Sequence, residues 1–282
     1  MIAPIIDVEQ LATALRSDPP TLDGRPVVLT DVRWYLDGRS GLDAYRSGHV
    51  PGAVWVDLDR WLSEHRSPTD GRHPLPTPET FAEGMGVLGI GDDTVVIAYD
   101  DQAGLVAGRL VWMLRRTGHD AAVLDGGLAA WSGPLATGDE AAAGPAPFSA
   151  VPWPAEHFLD TADVLAAQGR DDVVIIDARA GERYRGETEP IDPRAGHVPG
   201  ALSVPLTGNL GDDGRYLPAA ALAERYAPFA GKDVIAYCGS GVSACHDLLA
   251  LEATGRIGKL YVGSWSAWSS TPELPAATGP DA

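Results

Sequence analysis

The chain has 282 residues, 45% of them apolar, and a formal net charge of −18. That length suits two domains better than one. Strong acidity without a basic run excludes nucleic-acid binding through a general electrostatic footprint, while leaving room for a local positive pocket that takes a small anion.

In chain order, Met1 to Glu9 has no basic segment and no long apolar core, so no signal peptide is expected. No apolar run reaches the roughly 18 residues of a membrane span. Val8 to Arg16 reads as a helix and Val27 to Thr30 as a strand. Glu79 to Leu88 reads as a helix opened by Thr77-Pro78. Thr94 to Tyr99 is a strand, Ala107 to Thr117 a helix stopped by Gly118, and Ala122 to Leu124 a strand. Gly133 to Pro154, rich in Gly, Ala and Pro, has the composition of a surface linker. Short apolar strands alternating with helices predict an α/β architecture, a mainly parallel sheet with helices on both faces.

The second half repeats the first. Asp31-Val32-Arg33 returns as Asp177-Ala178-Arg179, and Gly48-His49-Val50-Pro51-Gly52-Ala53 as Gly196-His197-Val198-Pro199-Gly200-Ala201. The strand Val95 to Tyr99, followed by Asp100, matches Val234 to Tyr237, followed by Cys238. Leu124 to Trp131 echoes Tyr261 to Trp268. These four blocks recur in one order at nearly one spacing, so the chain is expected to hold two copies of one domain. The expected bounds are residues 1–132, a linker 133–154, and residues 155–282.

Cys238 stands at the end of an apolar strand, and Gly239-Ser240-Gly241-Val242-Ser243 leads from it into a helix. Ligands in such folds bind at the carboxyl ends of strands. Glycines let the backbone curl with N–H groups inward, a concavity suited to an anion. The helix N-terminus beyond it favours a thiolate, which is the nucleophile. Asp100 holds the matching position in the first copy and is no sulfur nucleophile, so one copy is expected to be active and the other to shape the site. The two cysteines, Cys238 and Cys245, cannot build a disulfide framework. A reducing cytoplasm fits them. His, Cys and Asp never gather at zinc spacing, so no metal is implied.

These residues resemble the two-domain rhodanese-like sulfurtransferases. The resemblance rests on Cys238-Gly239-Ser240-Gly241-Val242-Ser243-Ala244, on both Gly-His-Val-Pro-Gly-Ala blocks and on Gly263-Ser264-Trp265. It covers nearly the whole chain. It implies an inactive N-terminal domain, an active C-terminal domain, and transfer of sulfane sulfur through a cysteine persulfide without a cofactor. Family members that take thiosulfate carry Arg and Lys in the loop, whereas those acting on 3-mercaptopyruvate carry Gly-Ser/Thr-Gly-Val, the pattern of Gly239 to Val242. A neutral loop also offers a dianion fewer charge-assisted contacts. The acceptor implied is cyanide, a small thiol or a thioredoxin-like protein; no nucleic acid or membrane is.

The same resemblance distributes roles. Ser240 is either a proton relay or a helix-capping serine. His73 and Asp59 would complete a Ser–His–Asp or Ser–Asp relay, facing the cysteine from the first domain. Arg183 would clamp the substrate carboxylate, its fork matching that shape. The family often has a second arginine further along this loop; the loop here is shorter, and Arg194 is its candidate beside the loop residues Gly239, Gly241, Val242 and Ser243. Arg185 reads as a solvated surface charge. His49 and His197 occur in both copies and therefore read as structural. Cys245 reads as a small buried residue. A phosphatase would need arginine six positions after Cys238, where Ala244 stands. Thiosulfate sulfurtransferase and a carrier that binds sulfane sulfur without turnover remain the alternatives.

Overall fold

The computed structural model describes residues 1–64, 66–140 and 144–280. The chain forms two compact units. The first comprises Met1–Glu64, Pro76–Trp153 and Asp213–Arg215; the second comprises His65–Leu75, Pro154–Asp212 and Tyr216–Ala282. Residues 141–143 of the expected linker lie outside the described residues. Around them the linker packs on the first unit: Ala136 pairs with His49, and Ala146 N–H donates to Gly86 O at 3.0 Å.

In the first unit the elements run β1 (Ile5–Ile6), α1 (Val8–Ala14), β2 (Thr21–Leu22), β3 (Arg25–Asp31), α2 (Gly41–Ser47) and β4 (Val54–Trp55). They continue as α3 (Pro78–Val87), β5 (Val95–Tyr99), α4 (Ala107–Arg116) and β6 (Ala121–Leu124). The sheet order is β1-β6-β5-β3-β2, with β4 also on β3, and only the β2–β3 pair is antiparallel. The second unit runs β7 (Phe158–Leu159), α5 (Thr161–Ala167), β8 (Val173–Asp177), α6 (Gly181–Tyr184), β9 (Leu202–Ser203), α7 (Ala219–Tyr226), β10 (Asp233–Tyr237), α8 (Ala244–Ala253), β11 (Lys259–Tyr261) and α9 (Ser264–Ser269). Its sheet order is β7-β11-β10-β8-β9, parallel throughout.

The reasons are local. Every residue of β5 is buried, as suits a central strand covered on both faces by helices. α1 and α5 each open on a capping box, Asp7 with Gln10 and Asp160 with Asp163, and α3 opens on Thr77 with proline next. The expected elements occur, with ends shifted by no more than two residues. Among the described residues no helix is long and apolar enough to cross a membrane.

The repeated motifs hold the same contacts twice. Arg33 forks onto Asp31 and donates to Gly48 O; Arg179 forks onto Asp177 and donates to Gly196 O. His49 stacks on Tyr45, with Nδ1 2.9 Å from the Tyr45 carbonyl, and His197 stacks on Tyr184, with Nδ1 2.8 Å from the Tyr184 carbonyl. These histidines fix the turn before the Val-Pro-Gly segment.

Two placements depart from the sequence order: Asp213–Arg215 clusters with the first unit, and a longer segment crosses the other way. Residues 65–75, which the repeat assigns to the first copy, cluster with the second unit. Gly71, at φ +91, explains the fit: a Cβ there would lie 2.6 Å from Gly263 O. Only a glycine lets this segment press against the turn that opens α9.

Candidate active site

β10 is the middle strand of its sheet, and Cys238 follows its last residue. The chain leaves β8 toward β9 on one side, then returns to lay β10 on the other side of β8. The crevice between the carboxyl ends of β8 and β10 is thus a topological switch point, where open α/β sheets bind ligands. Cys238 comes from one lip. Asp177, Arg179 and the short helix α6 with Arg183 come from the other.

The loop Cys238 to Ser243 curls before α8 begins at Ala244. Gly241 has φ +78, and its N–H donates to Cys238 Sγ at 3.2 Å. Among the described residues this is the amide at hydrogen-bond distance from the sulfur. Val242 and Ser243 carbonyls accept from Cys245 and His246 N–H and so start the helix. Cys245 is fully buried, its Sγ 3.5 Å from Gly241 O. Neither cysteine is in a disulfide.

The loop is fastened from behind by the turn Gly263-Ser264-Trp265-Ser266. Cys238 N–H donates to Ser264 Oγ at 3.2 Å. Trp265 and Ser266 N–H groups donate to the carbonyls of Cys238 at 3.0 Å and Gly239 at 2.8 Å. Ser264 sits at φ +52, in the left-handed region, to make these contacts.

Ser240 and His73 meet: Ser240 Oγ is 2.8 Å from His73 Nδ1, and both side chains are largely buried. Which atom holds the proton depends on the histidine tautomer. Asp59 belongs to the first unit, exposed after the capping residue Asp57, and accepts the Trp34 indole N–H at 2.9 Å.

Arg183 lies over the loop. Its Nη1 would be 3.6 Å from a Cβ on Gly239. Its Nη2 donates to Glu189 Oε1 at 2.7 Å and Asp192 Oδ2 at 3.1 Å. Burial pushes the Glu189 carboxyl up, but the Arg183 fork and the Asp192 and Ile191 amides outweigh it and hold Glu189 below its ordinary value. Arg72, which sequence reasoning passed over, lies there too. Its Nη2 would be 2.9 Å from the same Cβ, and its Nη1 pairs with Asp192. Glycine at 239 is the signal that could have revealed it: a side chain there would crowd Arg72 Nη2.

Arg194 goes elsewhere. Its guanidinium donates to the carbonyls of Trp268, Ser269, Thr271 and Leu274 at 2.7 to 2.9 Å. It satisfies the open carbonyl end of α9, where a cation also suits the helix dipole. The expectation of Arg194 as a second substrate arginine is corrected accordingly.

The first unit carries the same loop with its anion built in. Asp100, fully buried, follows β5. Its Oδ1 accepts from Gln102 and Gly104 N–H, each at 2.8 Å, and its Oδ2 from Val106 at 2.7 Å and Ala107 at 2.9 Å. The loop that follows this strand end gathers four amides on one negative group.

A model of the rhodanese-like domain matches residues 11–134 and again 160–271. A Pseudomonas aeruginosa protein named "Probable 3-mercaptopyruvate sulfurtransferase" is 43% identical, covering 98% of this chain and 99% of its own. A Mycobacterium tuberculosis protein named "Putative thiosulfate sulfurtransferase SseB" is 40% identical, covering 91% of this chain and 92% of its own. The crystal structure of SseA from Escherichia coli, described as a 3-mercaptopyruvate sulfotransferase, superposes with a TM-score of 0.79. It is 33% identical and covers 94% of this chain and 99% of its own.

Proposed function

The chain belongs to the two-domain rhodanese-like sulfurtransferases, and from that premise we propose that it carries sulfane sulfur from 3-mercaptopyruvate to a thiol acceptor as a persulfide on Cys238. The observation that carries this reading is the company of the sulfur: a loop amide donating to Sγ and an arginine over the next residue. The Cys238 thiolate attacks the donor sulfur. The S–S bond forms as the donor's C–S bond breaks, and the electron pair leaves on the pyruvate enolate. The enolate takes a proton at carbon and departs as pyruvate. Ser240 and His73 form the proton path, since an imidazole works near neutrality.

The Cys238 persulfide is an anion in a glycine-rich curl, as Asp100 is in its own loop. An acceptor thiolate then attacks the outer sulfur and regenerates the Cys238 thiolate, so the kinetics are ping-pong. The acceptor class is a small thiol or a thioredoxin-like protein. Arg183 holds the donor's carboxylate, and Asp59 is assigned to the relay with His73 on the family resemblance alone. A thiolate nucleophile and a persulfide intermediate suit a reducing, cytoplasmic setting. As sequence copies, the inactive domain is assigned residues 1–132 with the linker 133–154 and the catalytic domain residues 155–282, the latter joined in its compact unit by segment 65–75.

A second reading, thiosulfate as preferred donor, is favoured by the name of the Mycobacterium tuberculosis relative. The neutral loop Gly239 to Val242 weighs against it. Specificity constants for the two donors decide between them: the 3-mercaptopyruvate value is expected to be the larger, and a clear thiosulfate preference overturns the donor assignment. Steady pyruvate release with an added thiol is expected, and one stoichiometric burst would instead indicate a carrier.

A further inference from the structure

Two guanidinium groups, not one, overhang Gly239. Arg72 is brought there from a segment more than a hundred residues before Arg183. The turn 263–266 sets its register. Gly71 packs on Gly263, Arg72 N–H donates to Ser266 Oγ at 3.0 Å, and Ser266 N–H donates to Gly239 O at 2.8 Å. One turn therefore fastens both the cysteine loop and the backbone of Arg72. Asp192, its side chain 2% exposed, binds Arg72 through Oδ1 and Arg183 through Oδ2. It holds the two forks side by side.

The donors that face the loop are unengaged. Among the described residues Arg183 Nη1 and Arg72 Nη2 make no hydrogen bond, and Arg72 Nε is buried without a partner. Unsatisfied donors of two cations on one side of a nucleophile's loop ask for an anion with paired oxygens. Arg72 and Asp192 also line a cavity of about 350 Å³, so a small molecule can approach the pair from that side.

The arginine–carboxylate cluster carries no surplus positive charge before any donor binds, and the Cys238 thiolate lies beside it. Arg72, Arg179 and Arg183 face Asp177, Glu189 and Asp192. A monoanion adds one uncompensated charge to this group and a dianion adds two. Deleting the charge of Asp192 leaves the cluster with an excess positive charge, which suits a dianion better.

We propose that Arg72 is the second arm of the donor-carboxylate clamp and that Asp192, the carboxylate shared by both arms, tunes the clamp toward monoanionic donors. This rests on the sulfurtransferase reading above and adds to it the residues that choose the donor. The arrangement also assigns a use to Gly263-Ser264-Trp265: it is the common anchor of nucleophile and clamp.

The test measures pyruvate release from 3-mercaptopyruvate and sulfur loss from thiosulfate for wild type, R72Q, R72K and D192N. Persulfide loading from an alkyl hydropersulfide, RSSH, supplies a comparison donor without a carboxylate; attack on its outer sulfur gives Cys238–SSH and RS⁻. Arg72→Gln is expected to raise the KM for 3-mercaptopyruvate tenfold or more, with a smaller change in kcat, as befits loss of a charge-assisted contact. Arg72→Lys should fall between, keeping charge but not the fork. The loss should be far smaller with the donor that lacks a carboxylate. Asp192→Asn should raise the ratio of thiosulfate to 3-mercaptopyruvate specificity constants at least tenfold. An unchanged KM in R72Q, equal losses with both donors, or an unmoved ratio in D192N overturns the proposal. Failure of the wild type to release pyruvate would instead overturn the underlying reading.

Discussion

Ser240 Oγ lies 2.8 Å from His73 Nδ1 across 167 positions of sequence. The contact joins the cysteine loop to segment 65–75, which belongs to the same compact unit. A relay in which these two act together makes their removal non-additive. Ser240→Ala and His73→Ala are each expected to lower kcat for pyruvate formation by about 10- to 100-fold. The double variant should lose little more than either alone. Independent, multiplying losses in steady-state assays would show that the two do not share one proton path.

Arg194 makes four carbonyl contacts at the end of α9. Arg194→Ala exposes those carbonyls to a low-dielectric setting without a donor, at a cost of about 2–4 kcal/mol. Urea unfolding should register that loss. The KM for 3-mercaptopyruvate should stay within about threefold of wild type. A tenfold rise in KM with unchanged stability would return Arg194 to the donor site.

Asp100 accepts four amide N–H groups while fully buried. Asp100→Ala orphans all four and should destabilise the chain by about 3–5 kcal/mol. Asp100→Asn keeps shape but turns a donor toward amide donors, so it too should lower the unfolding midpoint. Thermal or urea melts check both; an unchanged midpoint would mean that solvent satisfies the loop.

Asp247, on the helix that begins at the cysteine loop, is fully buried. Burial raises its pKa to about 7, against the pull of Asn209, Arg225 and Tyr226 and with a push from Asp177. The native state therefore binds a proton between about pH 4 and pH 7 that the unfolded chain has released. The sign follows: this group's contribution to stability is greatest below its unfolded pKa and falls as pH rises toward 7. The full change is on the order of 4 kcal/mol. Asp247→Asn should flatten the decline, measured as urea midpoints between pH 5 and pH 8. Parallel curves for the two proteins would rule Asp247 out as the titrating group.

The features legible in the sequence were those with periodic or repeated signals. Apolar runs mark β5 and β10, Thr77-Pro78 opens α3, and the duplicated Gly-His-Val-Pro-Gly-Ala blocks expose the two-domain plan. The break after Tyr237 located the cysteine loop because a strand end and two glycines are local facts. Arg72 was hidden because its partners, Gly239, Asp192 and Ser266, are distant in sequence and its segment changes unit. Arg194 misled for the converse reason: it lies near Arg183 along the chain, but its carbonyl partners come from residues 268–274. Proximity in sequence identifies neighbours on an element and is a poor guide to the walls of a site built from several.

The central claim is that one side chain takes the sulfur. Intact-mass analysis of the full chain after incubation with 3-mercaptopyruvate, followed by desalting, tests it directly. A gain of one sulfur atom is expected in the wild type, mapped to Cys238 by peptide mass, lost on adding a thiol, and missing from Cys238→Ala. Pyruvate production by Cys238→Ala at the wild-type rate, or a sulfur atom mapped to Cys245 instead, would contradict the account.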